Sequence, residues 1–364
     1  MRLRILTLTY PLMPLTPDAC GGVEQIGHTL LHRLAAMHSD SAPFLITLAD
    51  SRSRIPGKLM ACDDAPDSAP AETRLSRRAD TMLKLASTLT AEIDLIHLQG
   101  FNDWRPIVSW GKPTLLSLHM AFELYPRGWL NSPPPNLTLQ CVSHSQSNWL
   151  AEHLSLQRDP MQKQEVVCNG IELDRFEWRR TRGDYWLYLG RICPEKGVHT
   201  AIELARLRQR RLLLAGSVYP FPSHQEYFRQ KIAPQIGSEV VWLDAVNFQQ
   251  KVELLARAAA VLICTEVDEP SSLAAMEAAA SGAPVLALRR GALAEIVAQN
   301  ESGILADDFE GLLSSSNRLS SISPAACRQY AERHFSAGEM AENYWRLYHR
   351  MLGMGERRVL QLAG

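Results

Sequence analysis

The chain has 364 residues, of which 46% are hydrophobic and 21% charged, with a formal net charge of −1. That length suits two domains of ordinary size, and the composition is that of a soluble globular protein. A balanced charge with no run of five or six like charges argues against a dedicated nucleic-acid or acidic-membrane binder. The seven cysteines (20, 62, 141, 168, 193, 264 and 327) are scattered and contain no CxxC pair, so buried thiols in a reducing cytosol are expected in place of disulfides or a zinc site. No apolar run reaches the ~18–20 residues of a spanning helix, and Arg2 to Tyr10 reads as a strand, not as a leader. A cytoplasmic enzyme is expected, with peripheral membrane contact left open.

In chain order, Leu3 to Tyr10 reads as a first buried strand, and Gly21-Gly22 then open a helix whose apolar face is Val23, Ile26, Leu30, Leu34 and Met37. Ala42 to Ala49 continues the pattern as a strand. Residues 51–76, rich in Pro, Asp, Ser and Arg, read as a surface excursion, followed by a short helix over Thr81 to Thr90. Strands are expected at Ile93–Leu98, Pro113–Leu118, Leu137–Val142 and Glu165–Cys168. The loops between them, Gln99–Pro106 and His119–Pro135, border the crevice of an open α/β sheet. The aromatic residues Tyr125 and Trp129 of the second loop either stack on a sugar or simply anchor the loop. A turn at Asn169-Gly170 and a charged connector over 177–184 precede a second strand-first series. It has strands at Tyr185–Leu189, Arg211–Ala215, Val240–Leu243, Val261–Cys264 and Pro284–Leu288, with helices near 197–207, 224–236, 248–259, 271–281 and 292–299. Two βα series joined by a polar connector predict an α/β protein of two doubly wound, Rossmann-like domains facing each other across a cleft. The GxGxxG dinucleotide fingerprint is absent.

Two stretches of the second series carry chemistry. In the first, Thr265 to Glu277, an apolar strand runs into an Ala-, Leu- and Glu-rich helix, with Pro270 expected in its first turn. Glu269 then stands at a strand-to-helix turn, Ser271, Ser272 and Leu273 offer backbone N–H groups to an anion, and Glu277 lies two turns on. A carboxylate, an anion site and a second carboxylate in that order suit a nucleotide sugar. In the second, Gly190 to Gly197, Arg191 and Lys196 bracket a turn into a helix. Arg191 can fork two oxygens of a diphosphate and Lys196 can act as a point charge.

The stretches GRICPEKG, EPSSLAAME with Glu-x7-Glu spacing, SGAPVLA and GALAEIV resemble the family 4 (GT4) retaining glycosyltransferases of the GT-B fold. The short N-terminal half and RRLLLAG resemble the AviGT4-type antibiotic-pathway subgroup. The likeness is strongest over 185–303, and Gly21-Gly22-Val23-Glu24, His119 and Asn169-Gly170-Ile171 match the family's N-terminal landmarks. The resemblance implies an acceptor-side domain over 1–172, a donor-binding domain over 173–337, and a C-terminal helix over 338–364 that returns to the first domain. It implies that Glu269 holds the donor sugar and Glu277 the ribose, that Arg191 and Lys196 clamp the diphosphate with N–H groups near Leu273 and Ala274, that Gly21 and Gly22 let a loop approach the ligand, and that His119 lies beside the donor sugar, with His97 a weaker candidate. Asn169, Ser271 and Ser272 join the donor-binding set. The implied donor is a nucleotide sugar, UDP-linked ahead of GDP-linked. The implied acceptor is a hydroxyl of a saccharide, a lipid-linked molecule or a small molecule. No cofactor, obligatory metal or nucleic acid is implied, since the metal-chelating Asp-x-Asp of GT-A enzymes is absent. A GT-B sugar-nucleotide epimerase and a non-catalytic nucleotide-sugar-binding scaffold are the alternatives. The chain departs from the family at Ser271-Ser272, where a Gly-containing pair is usual, at Ala292, and at Asp244, where Gly is common.

Overall fold

The computed structural model describes residues 2–11, 13–17, 19, 21–37, 43–62, 71–121, 125, 128, 133–153 and 164–354. Arg127 and Trp129 of the loop singled out above lie outside the described residues, as does 355–364 of the C-terminal tail. The chain divides into two compact units, one of residues 1–119, 126–168 and 337–364, the other of 120–125 and 169–336. Residues 169–172 side with the second unit because the Ile171 N–H donates to the Phe335 carbonyl at 2.8 Å.

The first unit contains Arg4–Thr9 (β1), Gly22–Ala36 (α1), Phe44–Ala49 (β2), Lys58–Ala61 (β3), Ala71–Thr88 (α2), Leu95–Gln99 (β4), Arg105–Val108 (α3), Thr114–Leu118 (β5), Leu137–Cys141 (β6), His144–His153 (α4) and Gln164–Val166 (β7). The strands form one parallel sheet in the order β3-β2-β1-β4-β5-β6-β7. Strands β4, β5 and β6 are buried along their whole length, as strands covered on both faces are, their polar residues included. The surface excursion expected over 51–76 is in part structured. Its Lys58–Ala61 segment is a half-exposed edge strand held by parallel pairing to β2, and α2 begins ten residues ahead of its expected start, at Ala71. Strand β3 lacks an apolar signal because its position at the sheet edge requires none.

The second unit contains Trp186–Leu189 (β8), Val198–Leu207 (α5), Leu212–Ala215 (β9), Pro222–Tyr227 (α6), Val240–Asp244 (β10), Phe248–Arg257 (α7), Ala260–Ile263 (β11), Leu273–Ala280 (α8), Val285–Leu288 (β12), Leu293–Ile296 (α9), Gly303–Ala306 (β13), Phe309–Ser315 (α10) and Pro324–His334 (α11). Its parallel sheet has the order β10-β9-β8-β11-β12-β13, in which the winding reverses between β8 and β11. In doubly wound sheets, ligands bind beyond the carboxyl ends of the strands at such a reversal. Strand β13, at the edge of this sheet, was not anticipated. At the β10 end, Asp244 interrupts the register with β9 and takes φ 55°, which explains why Gly would be natural there. Asp is among the few other residues that tolerate this conformation.

The last helix among the described residues, Ala337–Met351 (α12), belongs to the first unit. Tyr344, Leu347 and Tyr348 are fully buried, each contributing on the order of 1.5–3 kcal/mol of transfer free energy. Their polar ends are satisfied within the same unit. The Tyr344 hydroxyl donates to Gln140 Oε1 at 2.7 Å, and the Tyr348 hydroxyl shares a hydrogen bond with His97 Nδ1 at 2.9 Å. His97 Nε2 in turn meets Ser117 Oγ at 2.8 Å. Among the described residues, no helix is long and apolar enough to cross a membrane.

Candidate active site

The two motif stretches emerge from the strands that flank the reversal of the second sheet. Residues 190–197 follow β8, and residues 264–272 follow β11. These loops are sewn together by backbone: the Glu266 N–H donates to the Glu195 carbonyl at 2.9 Å, and Thr265 Oγ1 donates to the same carbonyl at 3.0 Å. Gly197 makes the approach feasible. Its φ is +59°, and a Cβ there would lie 1.8 Å from the Cys264 carbonyl oxygen, so both conformation and space require glycine. A third loop, after β12, closes over Glu269. Gly291 has φ +53° and leaves no room for a Cβ, which would meet the Glu269 carbonyl at 2.4 Å, while the Ala292 N–H donates to that carbonyl at 2.8 Å.

The side chains brought together here are those of the two motifs. Lys196 Nζ contacts Glu269 Oε1 at 2.5 Å, with the carboxylate side chain only 7% exposed. The sequence reading placed these two residues at different ends of a ligand, whereas the fold makes them one ion pair. Arg191 lies 3.7 Å from Glu195 Oε1, and its guanidinium sits 5.4 Å from the Tyr219 ring centroid. The Tyr188 hydroxyl donates to the Arg191 carbonyl at 2.7 Å and fixes the loop that carries it.

Helix α8 begins at Leu273, not at the expected 271, and Pro270 lies ahead of it. The cause is the cap: Ser272 takes an extended conformation and its Oγ accepts the Ala275 N–H at 3.4 Å. Among the described residues the Leu273 and Ala274 N–H groups have no intrachain acceptor, as first-turn donors of a helix do not. Ser271 Oγ is likewise buried without a partner. Such orphaned polar atoms in a folded core mark where a ligand or solvent completes the bonding.

Glu277 is 3% exposed on α8, and the sequence reading missed its partner. Lys251 Nζ of α7 meets Glu277 Oε1 at 2.5 Å, and the Lys251 ammonium also lies 5.1 Å from the Phe248 ring centroid. The signal was present: Lys251 occupies the same buried face of an amphipathic helix as Val252, Leu255 and Ala256. A lysine there demands a carboxylate.

Two further groups adjoin Arg191 and were not anticipated. Cys193, fully buried, and His224, 8% exposed, have ligating atoms within 4.8 Å of one another and of a Glu195 oxygen. Burial opposes ionisation of Glu195, but backbone and Cys193 hydrogen bonds and the Arg191 and His224 charges hold its carboxyl below the usual range.

Asn169 begins the 169–336 segment of the second unit, 5% exposed, with Oδ1 buried and unpartnered. In the first unit, Gly21 caps α1 in an extended conformation (φ −90°, ψ 140°) that other residues adopt, and a Cβ there would meet only the flexible Glu24 carboxylate. Gly22 is the first residue of α1. His119 follows β5, with Nε2 buried and unpartnered, and burial pushes its pKa down to about 4. His97 is a structural histidine: both its ring nitrogens are engaged, and burial, then the charge of His119, push it down to about 3.

Comparison with known proteins agrees with this geometry. Residues 171–333 match the family described as Glycosyl transferases group 1. D-inositol 3-phosphate glycosyltransferase 2 of Catenulispora acidiphila is 28% identical over 290 residues, covering 67% of this chain and 68% of the relative. Enzymes of similar name from Corynebacterium efficiens and Streptomyces avermitilis are covered over 31% and 54% of their length. Among solved structures, sucrose-phosphate synthase of Thermosynechococcus elongatus superimposes with a TM-score of 0.78 at 18% identity, over 97% of this chain and all of that one. AviGT4, a glycosyltransferase involved in avilamycin A biosynthesis, superimposes with a TM-score of 0.67 at 22% identity, over 97% of this chain and 99% of that one. Anabaena HepE in complex with UDP-glucose gives 0.72 at 14% identity, over 96% of this chain and all of that one. Residues 171–333 of the chain thus match the group 1 glycosyltransferases, and its two parallel-sheet α/β units have the fold of solved GT-B glycosyltransferases.

Proposed function

We propose that the chain is a retaining glycosyltransferase of the GT4 kind that moves a hexosyl group from a nucleotide sugar, UDP-linked ahead of GDP-linked, to a hydroxyl of a saccharide, lipid-linked or small-molecule acceptor. The observation that carries this reading is the convergence of Arg191, Lys196 and Glu269 on the reversal between β8 and β11, with Glu277 on the helix that follows. A relative of the same fold is named for its complex with UDP-glucose, which supports the donor class.

In this reading the donor diphosphate lies against the first turn of α8, accepting from the Leu273 and Ala274 N–H groups, with Arg191 forking its oxygens. Lys196 is shared between the diphosphate and Glu269. As the glycosidic bond to the diphosphate breaks, negative charge grows on the leaving oxygen. Arg191, Lys196 and the helix N-terminus, already oriented, stabilise it. Glu269 holds hydroxyls of the sugar. Glu277 uses the carboxylate capacity left beside Lys251 for the ribose hydroxyls. The leaving diphosphate takes the acceptor proton on the face it departs from, which retains configuration without an enzyme nucleophile. The two cationic side chains supply the charge that a metal supplies elsewhere, so no obligatory metal enters the scheme. His119, Gly21, Gly22, Asn169, Ser271 and Ser272 contribute to binding, and the site of action is cytoplasmic.

The test is a screen of UDP-, GDP- and ADP-sugars against acceptor pools, with product anomers assigned by NMR. Transfer with retained configuration, lost in Glu269→Ala, is expected. Turnover of a nucleotide sugar with no acceptor, or an inverted product, overturns the assignment.

A further inference from the structure

We propose that Cys193, Glu195 and His224 form a binding site for a thiophilic divalent cation of the zinc type, seated beside Arg191. Cys193 and Glu195 flank Pro194 in the loop after β8, and His224 comes from α6 after β9. The parallel neighbours β8 and β9 bring them together. One ligand atom from each lies within 4.8 Å of the other two. Thiolate sulfur, imidazole nitrogen and carboxylate oxygen are each established zinc-ligand types, and sites with three protein ligands leave a fourth position open.

The three donors are weakly committed at present. His224 Nδ1 is buried with no hydrogen-bond partner, and Nε2 stands 3.9 Å from Glu195 Oε1, beyond hydrogen-bonding distance. The rings of Phe221 and Tyr219, with centroids 5.3 Å and 6.5 Å away, wall the imidazole. The Cys193 thiol lies 3.8 Å from the Arg191 carbonyl and also interacts with the Glu195 carboxylate, one of the two other proposed ligands. A buried imidazole with an unpartnered nitrogen, converging with a buried thiol and a carboxylate, calls for a further partner. The opposing feature is the Arg191 guanidinium, 3.7 Å from the same Glu195 oxygen. A cation therefore competes with Arg191 for Glu195.

Coordination releases the thiol proton to solvent, so a doubly charged ion adds one net positive charge at the loop and frees Arg191 from Glu195. On the donor reading given above, on which this consequence rests, a nucleoside diphosphate then binds more tightly. The site therefore tunes the phosphate clamp without taking part in transfer.

Cobalt(II) titration tests the site directly, because a thiolate–cobalt bond has a charge-transfer band in the near ultraviolet. One equivalent of Co2+ is expected to produce the band, and Zn2+ to abolish it. Cys193→Ser should remove it, and His224→Gln should weaken binding by at least ~10-fold. Cys168→Ser, which removes the thiol that is exposed among the described residues, should leave it intact. A band that survives Cys193→Ser, or vanishes in Cys168→Ser, overturns the proposal, as does the absence of any band in the wild type. If Cys193→Ser folds poorly, the rise in melting temperature with Zn2+ decides the matter: it is expected in the wild type and not in His224→Gln, and equal rises overturn the site. UDP titration of the zinc-loaded and zinc-free protein then separates the two claims. A cobalt band without tighter UDP binding overturns the coupling, whereas loss of UDP binding in both forms speaks against the donor reading alone.

Discussion

Lys251 and Glu277 form a pair whose side chains are 9% and 4% exposed, with 2.5 Å between charged atoms. Removing one member strands a buried charge, at a cost of about 3–5 kcal/mol. For a unit of this size each kcal/mol moves the melting temperature by roughly 2–4 °C, so Lys251→Met should lower the transition of the second unit by roughly 6–20 °C. The double variant Lys251→Met/Glu277→Gln removes both charges and keeps the volumes, and it should recover most of that loss. Donor affinity should not follow. If Glu277 holds the ribose, the double variant stays impaired in nucleotide binding although its stability has returned. Calorimetric melting and nucleotide titration on the wild type, the single and the double variants separate the two effects. A Lys251→Met protein as stable as the wild type would refute the energetic argument. A double variant that binds nucleotide normally would refute the role of Glu277.

Gly197→Ala should cost about 1–2 kcal/mol for the left-handed backbone, and more for the 1.8 Å approach to the Cys264 carbonyl, and should abolish donor binding. Normal nucleotide affinity in this variant would show that the two loops need not touch. The first unit should lose stability in acid. His97 and His119 are held near 3 and 4 by burial, so the unfolded chain takes up protons below pH ~6.5 while the folded one does not. Stability is complete above that pH and declines as pH falls towards 4, by about 1.4 kcal/mol per unit for each histidine. Urea midpoints measured from pH 7 to 4.5 should show this, and a flat profile would contradict it.

The parts of the site that could be read from the sequence are those whose position follows from strand order alone. Arg191, Lys196 and Glu269 each follow a strand of the second series, and parallel winding sends such residues to one edge of the sheet. What escaped is what depends on side-chain partners from distant elements. Nothing local pairs Lys251 with a carboxylate 26 residues on, and nothing local tells that Lys196 reaches Glu269 across 73 residues. His224 becomes a neighbour of Cys193 only because β8 and β9 are adjacent. The α8 boundary moved because a serine cap outweighs the preference of Pro270 for a first turn. Strand β3 was hidden because an edge strand buries too little to need an apolar pattern.

The central claim is that Arg191 and Glu269 hold opposite parts of one donor. Isothermal titration of UDP and of a UDP-sugar into the wild type, Arg191→Ala and Glu269→Ala tests it most directly. Arg191→Ala should weaken both ligands, by about 1.5–3 kcal/mol for a charge-assisted contact. Glu269→Ala should weaken the UDP-sugar and leave UDP itself bound. If both ligands bind undiminished in both variants, the reversal between β8 and β11 is not the donor site.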